Sequence, residues 1–200
     1  MYKFVKRFLD LLISFIILVI FLIPMIIIGI MIKIDSKGPV LFKQIRSGKY
    51  GKPFKLYKFR TMAADNDVHD FSNKDRHTKI GTILRKTSLD ELPQIINIFK
   101  GDMSFIGPRP WITDYWDNMN EIQRHRCDVL PGITGLAQAK GRNNISIFEK
   151  INYDLEYIKN FSLLEDIKVV FWTVKTVLSH EGADAGKSTI QNELQDLANQ

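Results

Sequence analysis

Two adjacent carboxylates, Asp90 and Glu91, stand in the stretch TSLDELPQIINIFKGDMSFIGPRP, which covers residues 87–110. Two carboxylates at one point of the chain suit a divalent cation such as Mg²⁺, which prefers hard oxygen ligands and usually brings substrate phosphates with it. An ionised Asp can also attack phosphorus and form an aspartyl-phosphoryl intermediate. We therefore identify Asp90 and Glu91 as candidate catalytic and metal-binding residues, with Mg²⁺ as the expected cofactor.

The same pair has a structural interpretation, because acidic residues are common at helix starts. Ser88 and Glu91 have the spacing of a capping box, whereas Asp90 as the cap would place Pro93 in the first turn, where its missing N–H is harmless. Either register predicts a helix over about 90–100, with both carboxylates at the N-terminus, where the helix dipole favours anions. Capping accounts for one acidic residue and does not require two.

A third chemical group is Arg109 in Gly-Pro-Arg-Pro, residues 107–110. Gly107 and Arg109 both precede prolines, which biases their backbone to extended conformations. Pro108 and Pro110 therefore predict a stiff loop that presents the guanidinium in a nearly fixed direction, and a guanidinium is a natural bidentate partner for phosphate. Alone, such a loop is more often an ordinary surface loop; together with the acidic pair it favours phosphate chemistry.

Two further arginines are weaker candidates for phosphate binding. Arg85 lies a short way before the acidic pair, and Arg142 lies in the turn-rich KGRNN. For each, a solvated surface charge is an equal alternative.

Composition restricts the partners and the compartment. The net charge of +6 and the pI near 9.3 suit anionic lipid headgroups, nucleotides or nucleic acid. Cys127 is the single cysteine, which excludes an internal disulfide and fits a reducing compartment. The four histidines lack the spacing of zinc ligands.

The N-terminal part has the composition of a membrane element. Residues 11–32 contain no charged side chain and are long enough to cross the hydrocarbon as one helix. The run is longer than a signal-peptide core, and no small-residue cleavage site follows it. We therefore expect a retained membrane anchor over residues 1–36.

The topology of this anchor follows from its charges and from Pro24. Both ends carry positive charge, which marks both as cytoplasmic; the residues are Lys3, Lys6 and Arg7 before the run and Lys33 and Lys37 after it. Pro24 near the middle removes a helix hydrogen bond. We favour a re-entrant hairpin broken at Pro24, and a kinked single span stays open because proline is tolerated in transmembrane helices.

The elements that must position the candidate residues lie in residues 37–180, the predicted catalytic domain. PVLFKQIR and KPFKLYKFRTM are predicted strands around a Gly-rich connection. Helices are predicted over 79–86, 112–127 and 147–160, and Gly101 is expected to end the helix over 90–100. The polar residues 63–79 are expected to form a loop, and the turn-rich residues 130–144 are expected to have little regular structure.

The last apolar segment, SLLEDIKVVFWTVKTVLS, has a broad apolar face. Its members are Leu163, Leu164, Ile167, Phe171, Val174 and Leu178. This face fits a membrane surface, with Lys168 and Lys175 extending to the headgroups, and it fits an ordinary core equally well. Residues 181–200 are predicted to be a polar, loosely held tail.

Several motifs, taken in order, resemble the bacterial sugar transferases that initiate glycoconjugate assembly, the monotopic phosphoglycosyl transferases. They are KRFLDLL, KFRTM, LRKTSLDELPQ, NIFKGDMSFIGPRP, LPGITGLAQAKGRN and YDLEYIKNFSLLEDIKVVFWT. The resemblance runs from residue 6 to about residue 178. With no multi-span N-terminal extension, the chain is most similar to the minimal members, especially those that open the Pgl pathway of bacterial N-glycosylation.

The resemblance implies transfer of a sugar 1-phosphate from a UDP-sugar to polyprenyl (undecaprenyl) phosphate, with release of UMP. UDP-N,N′-diacetylbacillosamine is the donor that it suggests. The implied fold is α/β: a small mixed helix-strand cytosolic domain with an N-terminal re-entrant membrane helix hairpin and interfacial amphipathic helices. The implied location is the cytoplasmic face of the bacterial inner membrane, with membrane lipid and no nucleic acid among the partners.

The resemblance also assigns roles to residues. Asp90 would be the nucleophile that takes the phospho-sugar covalently, and Glu91 would complete the dyad and help to hold Mg²⁺. Arg109 would bind phosphate or nucleotide, with Arg85 and Arg142 in further binding roles. Lys6, Arg7 and Asp10 match the entry to the membrane helix, and there a structural role and a lipid-binding role are equal alternatives.

The chain departs from the family pattern at two positions. Ile23 precedes Pro24 where close relatives often have Ser, and Leu136 stands where many carry Trp. Neither change touches the acidic pair.

Two other functions are compatible with parts of the sequence. A basic, membrane-anchored adaptor for anionic lipid or nucleic acid would explain charge and anchor but not the dyad. Direct transfer of the sugar to lipid phosphate would release UDP in place of UMP.

Overall fold

The computed structural model describes residues 2–63, 77–141, 145–178 and 190–199, and it is a mixed helix-strand structure. The helices are α1 (Tyr2–Asp35), α2 (Lys79–Lys86), α3 (Gln94–Lys100), α4 (Thr113–Asn118), α5 (Glu121–Arg124), α6 (Leu136–Lys140), α7 (Ile147–Lys159), α8 (Leu163–Leu178) and α9 (Ile190–Ala198). The strands are β1 (Leu41–Ser47), β2 (Pro53–Phe59), β3 (Ser104–Ile106) and β4 (Gly132–Thr134). Strands β1 and β2 form one two-stranded sheet, and β3 and β4 form another.

The chain divides into two compact units. The dyad unit comprises Leu11–Gln44 and Lys55–Phe99, and it contains Asp90 and Glu91. The loop unit comprises Met1–Asp10, Ile45–Phe54 and Lys100–Gln200, and it contains Gly-Pro-Arg-Pro. The boundaries at residues 36 and 180 suggested by the sequence describe a different division and stay predictions.

Helix α1 is one continuous helix of 34 residues that includes Pro24. It is long and apolar enough to cross a membrane, and only 11% of its most apolar window is buried inside the protein. At about 1.5 Å per residue its length exceeds the roughly 30 Å hydrocarbon layer. The structure does not show the re-entrant hairpin, because helical hydrogen bonding continues on both sides of Pro24, and the hairpin stays a prediction.

The core of the dyad unit joins α1, β2 and α2. Ile32, Phe59 and Leu84 are its buried members. Asp35, the last residue of α1, accepts a hydrogen bond from the Ile80 N–H at 2.9 Å, which stabilises the start of α2. Helix α2 and both strands of the first sheet confirm the sequence predictions. The predicted loop over 63–79 lies largely outside the described residues.

The loop unit contains regular structure where the sequence predicted little. Strand β4 pairs in parallel with β3, with Ser104 opposite Gly132 and Ile106 opposite Thr134, and α6 follows directly. The prediction for residues 130–144 was therefore wrong over β4 and α6. The glycines and proline in this stretch allow close backbone packing, so they are not evidence of an irregular loop.

The predicted helix over 112–127 is broken into shorter pieces. Helix α4 ends at Asn118, and Asn120 then caps α5 in a capping box with Gln123. A short 3₁₀ turn, His125–Cys127, completes the segment. The single-helix prediction was wrong because a strong internal cap restarts the helix. Helix α7 confirms the prediction for 147–160 and begins with its own capping box.

Helix α8 turns its apolar face outward. All six residues of that face named above are at least 48% exposed, Phe171 reaching 65% and Leu178 73%. The buried residues of the helix are Glu165, Asp166 and Val169. The face therefore does not belong to the core of the described residues, and its contact with a membrane surface stays a prediction.

Residues at the start of α1 make structural contacts within the loop unit. Asp166 accepts hydrogen bonds from the Tyr2 hydroxyl and from the Lys6 ammonium, and its other oxygen accepts from the Tyr157 hydroxyl at 2.6 Å. Asp10 Oδ1 accepts from the Ser104 hydroxyl at 3.1 Å. These contacts support a structural role for Lys6 and Asp10.

Helix α9 packs on the loop unit. Leu197 is 3% exposed and joins a core cluster with Tyr115, Met119 and Ile151. Glu193 accepts a hydrogen bond from the Tyr115 hydroxyl at 2.6 Å. The prediction of a loosely held tail was wrong for residues 190–198, because Leu197 supplies an apolar anchor that the polar composition conceals.

Candidate active site

The dyad lies in a 3₁₀ turn, Leu89–Glu91, and not in an α-helix. Helix α3 begins only at Gln94. Ser88 has left-handed backbone angles (φ 56°, ψ 15°), and its side chain makes no cap hydrogen bond. A capping residue needs extended backbone, so the capping-box prediction was wrong. Gly101, with φ 92°, does end α3 as expected.

Apolar contacts with the core of the dyad unit hold the turn in place. Leu89 and Leu92 pack against the core cluster of the dyad unit. The Leu92 N–H donates to the Leu89 carbonyl at 3.2 Å, closing the turn. This packing leaves Asp90 and Glu91 on the other side of the turn, partly buried beside strand β2.

Lys58 of β2 forms an ion pair with the dyad. Its Nζ lies 2.6 Å from Glu91 Oε1 and 4.0 Å from Asp90 Oδ2. The side chains of Lys58, Glu91 and Asp90 are 22%, 22% and 14% exposed. Lys58 is not among the residues predicted from the sequence, although it lies in the motif KFRTM, because nothing local connects residue 58 with residue 91.

Asn97 of α3 fixes β2 beside the dyad. The fully buried amide accepts from the Tyr57 N–H at 3.1 Å and donates to the Lys55 carbonyl at 2.7 Å. These two backbone groups point to the same edge of the strand, so Asn97 pairs with β2 as a neighbouring strand would. Lys58 is thereby held at a defined distance from the dyad.

The ionisation of Asp90 reflects opposing effects. Burial raises the pKa of the carboxyl above its ordinary value, and the charge of Glu91 raises it further, whereas Lys58 and, more weakly, Arg85 lower it. A carboxylate with a raised pKa is more basic and a better nucleophile. The nearby ammonium favours its ionised form.

Arg85 lies at the C-terminal end of α2 with its side chain exposed. Its Nη1 lies 2.8 Å from His77 Nε2, and His77 Nδ1 lies 3.3 Å from the Thr61 carbonyl. The two contacts agree with one neutral tautomer, in which Nδ1–H donates and Nε2 accepts. The structure thus groups Arg85, Asp90, Glu91 and Lys58 in the dyad unit.

The dyad fits a magnesium ion bound together with substrate. The described part of the chain holds no cluster of three or more His, Cys, Asp or Glu side chains that could form a complete metal site. Mg²⁺ is usually bound by only one or two carboxylates, with phosphates and water completing the shell. Asp90 and Glu91 supply such a pair.

The arginine loop, residues 107–111, belongs to the loop unit. Arg109 is exposed, whereas Pro108 and Pro110 on either side are buried. Gly107 and Gly132 approach so closely that a Cβ on Gly132 would lie 2.2 Å from the Gly107 nitrogen. The structure thus places Arg109 at an exposed position between two buried prolines, and the stiffness of the loop and the fixed direction of the guanidinium stay predictions.

Every carbonyl of the arginine loop from residue 108 to residue 111 accepts a hydrogen bond. The pairs are Gly132 N–H to Pro108 (3.0 Å), Arg126 Nη2 to Arg109 (2.9 Å), Arg46 Nη1 to Pro110 (3.5 Å) and Ser47 N–H to Trp111 (2.8 Å). Arg46 and Arg126 are not among the residues predicted from the sequence. Arg142 lies outside the described residues.

Comparison with known proteins identifies the family. Residues 1–180 match the family described as bacterial sugar transferase. The chain belongs to this family. It is therefore a transferase, and the adaptor alternative is set aside.

Two of three relatives of this sugar transferase carry names that state different sugars. The uncharacterized sugar transferase EpsL of Bacillus subtilis is 46% identical over 76% of this chain and 76% of its own length. The UDP-N-acetylgalactosamine-undecaprenyl-phosphate N-acetylgalactosaminephosphotransferase of Aeromonas hydrophila is 41% identical over 91% of this chain and 45% of its own length. The UDP-glucose:undecaprenyl-phosphate glucose-1-phosphate transferase of Klebsiella pneumoniae is 42% identical over 84% of this chain and 39% of its own length. The sugar transferase thus spans less than half the length of the latter two.

Proposed function

We propose that this sugar transferase moves a sugar 1-phosphate from a UDP-sugar to undecaprenyl phosphate and releases UMP. The observation that carries the proposal is Asp90, a partly buried carboxylate of raised pKa held 4.0 Å from the Lys58 ammonium. Relatives named for sugar-phosphate transfer to undecaprenyl phosphate support the donor and acceptor classes.

In the first step, a carboxylate oxygen of Asp90 attacks the phosphorus that bears the sugar. The bond from this phosphorus to the bridging oxygen of the diphosphate breaks, and that oxygen leaves as part of UMP. The product on the enzyme is an acyl phosphate between Asp90 and the sugar phosphate. Lys58 and Glu91 orient the nucleophile, and the Lys58 charge favours the carboxylate over the neutral acid.

In the second step, a phosphate oxygen of the lipid attacks the same phosphorus. The bond between phosphorus and the Asp90 oxygen breaks, which regenerates the carboxylate and forms the polyprenyl diphosphate sugar. No net proton is consumed.

Charge stabilisation is assigned to the remaining candidates. Asp90 and Glu91 would hold Mg²⁺, which supplies Lewis-acid neutralisation of phosphate charge when bound. Arg109 binds a phosphate of the UDP-sugar from its stiff loop. A guanidinium that is already in place needs little reorganisation to stabilise the phosphate charge. Arg85 and Arg142 add binding contacts to the nucleotide diphosphate.

The by-product and a covalent adduct test the reaction. Purified protein in detergent with Mg²⁺ receives UDP-sugar without lipid, and intact mass is measured; we expect a phospho-sugar adduct that maps to the peptide with Asp90. With undecaprenyl phosphate added, UMP is expected. Formation of UDP, or active protein with no adduct even under rapid trapping, would favour direct transfer and leave Asp90 as a metal ligand.

The donor sugar is the finer part of the proposal. The sequence resemblance suggests N,N′-diacetylbacillosamine, whereas the relatives carry N-acetylgalactosamine and glucose in their names. A panel of UDP-sugars compared by kcat/KM would identify the donor. Preference for UDP-glucose or UDP-N-acetylgalactosamine would contradict the bacillosamine assignment without affecting the transfer chemistry.

We further propose that α1 enters and leaves the inner membrane on the cytoplasmic face. Lys3→Cys and Lys37→Cys place single exposed thiols at the two ends, and buried Cys127 serves as the internal control. Both thiols are expected to resist a membrane-impermeant maleimide in intact spheroplasts and to react after lysis. Labelling of one end from outside would establish a single span.

A further inference from the structure

Arg126 links the arginine loop to the interior of the loop unit. Its side chain is 2% exposed, and its Nη2 donates to the Arg109 carbonyl at 2.9 Å. The same Nη2 donates to Asp154 Oδ2 at 2.7 Å, and Nε donates to that oxygen at 2.9 Å. The guanidinium carbon lies 3.6 Å from the Trp111 ring centroid. One buried cation therefore contacts the loop at two residues.

Stability alone does not account for this ion pair. The attraction between two buried charges offsets their loss of hydration only if their remaining polar atoms are hydrogen-bonded. Replacing such a pair by apolar residues therefore often leaves the stability of the protein unchanged. Asp154 is also 2% exposed, yet its Oδ1 is buried without a hydrogen-bond partner among the described residues. An incompletely satisfied pair contributes little to stability, whereas its geometry fixes the Arg109 backbone.

We propose that Arg126, held by Asp154, is a positioning residue that sets the direction in which Arg109 leaves the arginine loop. The hydrogen bond to the Arg109 carbonyl restricts the peptide plane between Arg109 and Pro110. A restricted backbone at residue 109 in turn restricts the direction of its side chain. Misplacement of a binding group by about 1 Å can cost up to about a hundredfold in rate. Arg126 acts in this way only if Arg109 binds donor phosphate, as proposed above.

The test replaces both partners, because removing one alone would leave a buried charge. In Arg126→Met/Asp154→Leu we expect an unchanged or higher unfolding midpoint, a rise of roughly tenfold in the KM for UDP-sugar, and a smaller change in kcat. The same pair of substitutions is then made in Arg109→Ala. In that background we expect the KM for UDP-sugar to change by less than about twofold, because residue 109 no longer has a guanidinium to position.

Different results would contradict the positioning role of Arg126 and the proposed transfer reaction. If the double substitution raises KM by the same factor with and without Arg109, its effect is merely structural and the positioning role is wrong. An Arg109→Ala variant with normal KM would overturn it as well. A wild-type protein that forms no UMP would instead overturn the proposed function.

A matched control uses another ion pair of the loop unit. Lys150 Nζ lies 2.7 Å from Glu193 Oε1, with side chains 22% and 13% exposed, and the pair joins α7 to α9. Lys150→Met/Glu193→Leu should leave the KM for UDP-sugar unchanged. An equal rise in KM there would show general sensitivity of the fold and contradict a specific role for Arg126.

Discussion

Asp90→Asn is expected to lower the rate of sugar-phosphate transfer by roughly 10³-fold or more, because it removes the proposed nucleophile and keeps its shape. The phospho-sugar adduct should disappear with the activity. UMP release from UDP-sugar, measured in the presence of undecaprenyl phosphate, gives the rate. Substantial residual activity with normal UMP formation would contradict a covalent role.

The same substitution should not destabilise the protein. Burial raises the pKa of Asp90 in the folded state, so at neutral pH its ionised form opposes folding relative to the unfolded chain. Asn removes this unfavourable charge, and the unfolding midpoint should be equal or higher. Asp117→Asn, an exposed change on α4, is the matched control and should alter neither activity nor stability.

Lys58→Met is expected to lower kcat/KM by about 10- to 100-fold, because a charged hydrogen bond in a partly buried site is worth about 1.5–3 kcal/mol. Lys58 lowers the pKa of Asp90, so its loss raises that pKa. Activity requires the carboxylate and fails as pH falls through its pKa. The acidic limb of the pH–rate profile should therefore move to higher pH.

Lys55→Met provides the control on the same strand. Lys55 is exposed, and only its backbone carbonyl contacts Asn97, so the pH profile should stay as in the wild type. An acidic limb that is unmoved in Lys58→Met, or that moves to lower pH, would show that Lys58 does not control the ionisation of Asp90.

Elements with regular apolar patterns could be predicted from the sequence. The membrane-like composition of α1, the two strands of the first sheet and helix α7 follow from local patterns of this kind, although the apolar run left both a hairpin and a single span open for α1. The break before α3 could not be predicted in this way, because Ser88 adopts left-handed angles that serine rarely takes without tertiary support. Strand β4 is three residues long and exists only through pairing with β3.

The residues of the candidate site likewise divide into those that local motifs reveal and those that only tertiary contacts reveal. Asp90, Glu91 and Arg109 could be found because their chemistry lies in short motifs. Lys58 reaches Glu91 across 33 residues of sequence, Asn97 reaches Tyr57 across 40, and Arg126 reaches Asp154 across 28. Such contacts depend on how elements pack, and the spacing of residue types within one sequence does not encode them.

The contact between Lys6 and Asp166 has a consequence for the order of events during synthesis. The two residues are 160 positions apart, and a ribosome adding about 5–20 residues per second needs roughly 8–30 seconds to cover that distance. During this interval the apolar segment of α1 has left the ribosome without the carboxylate that later holds its N-terminus. The nascent segment therefore has time to partition into lipid before the loop unit closes around its first residues.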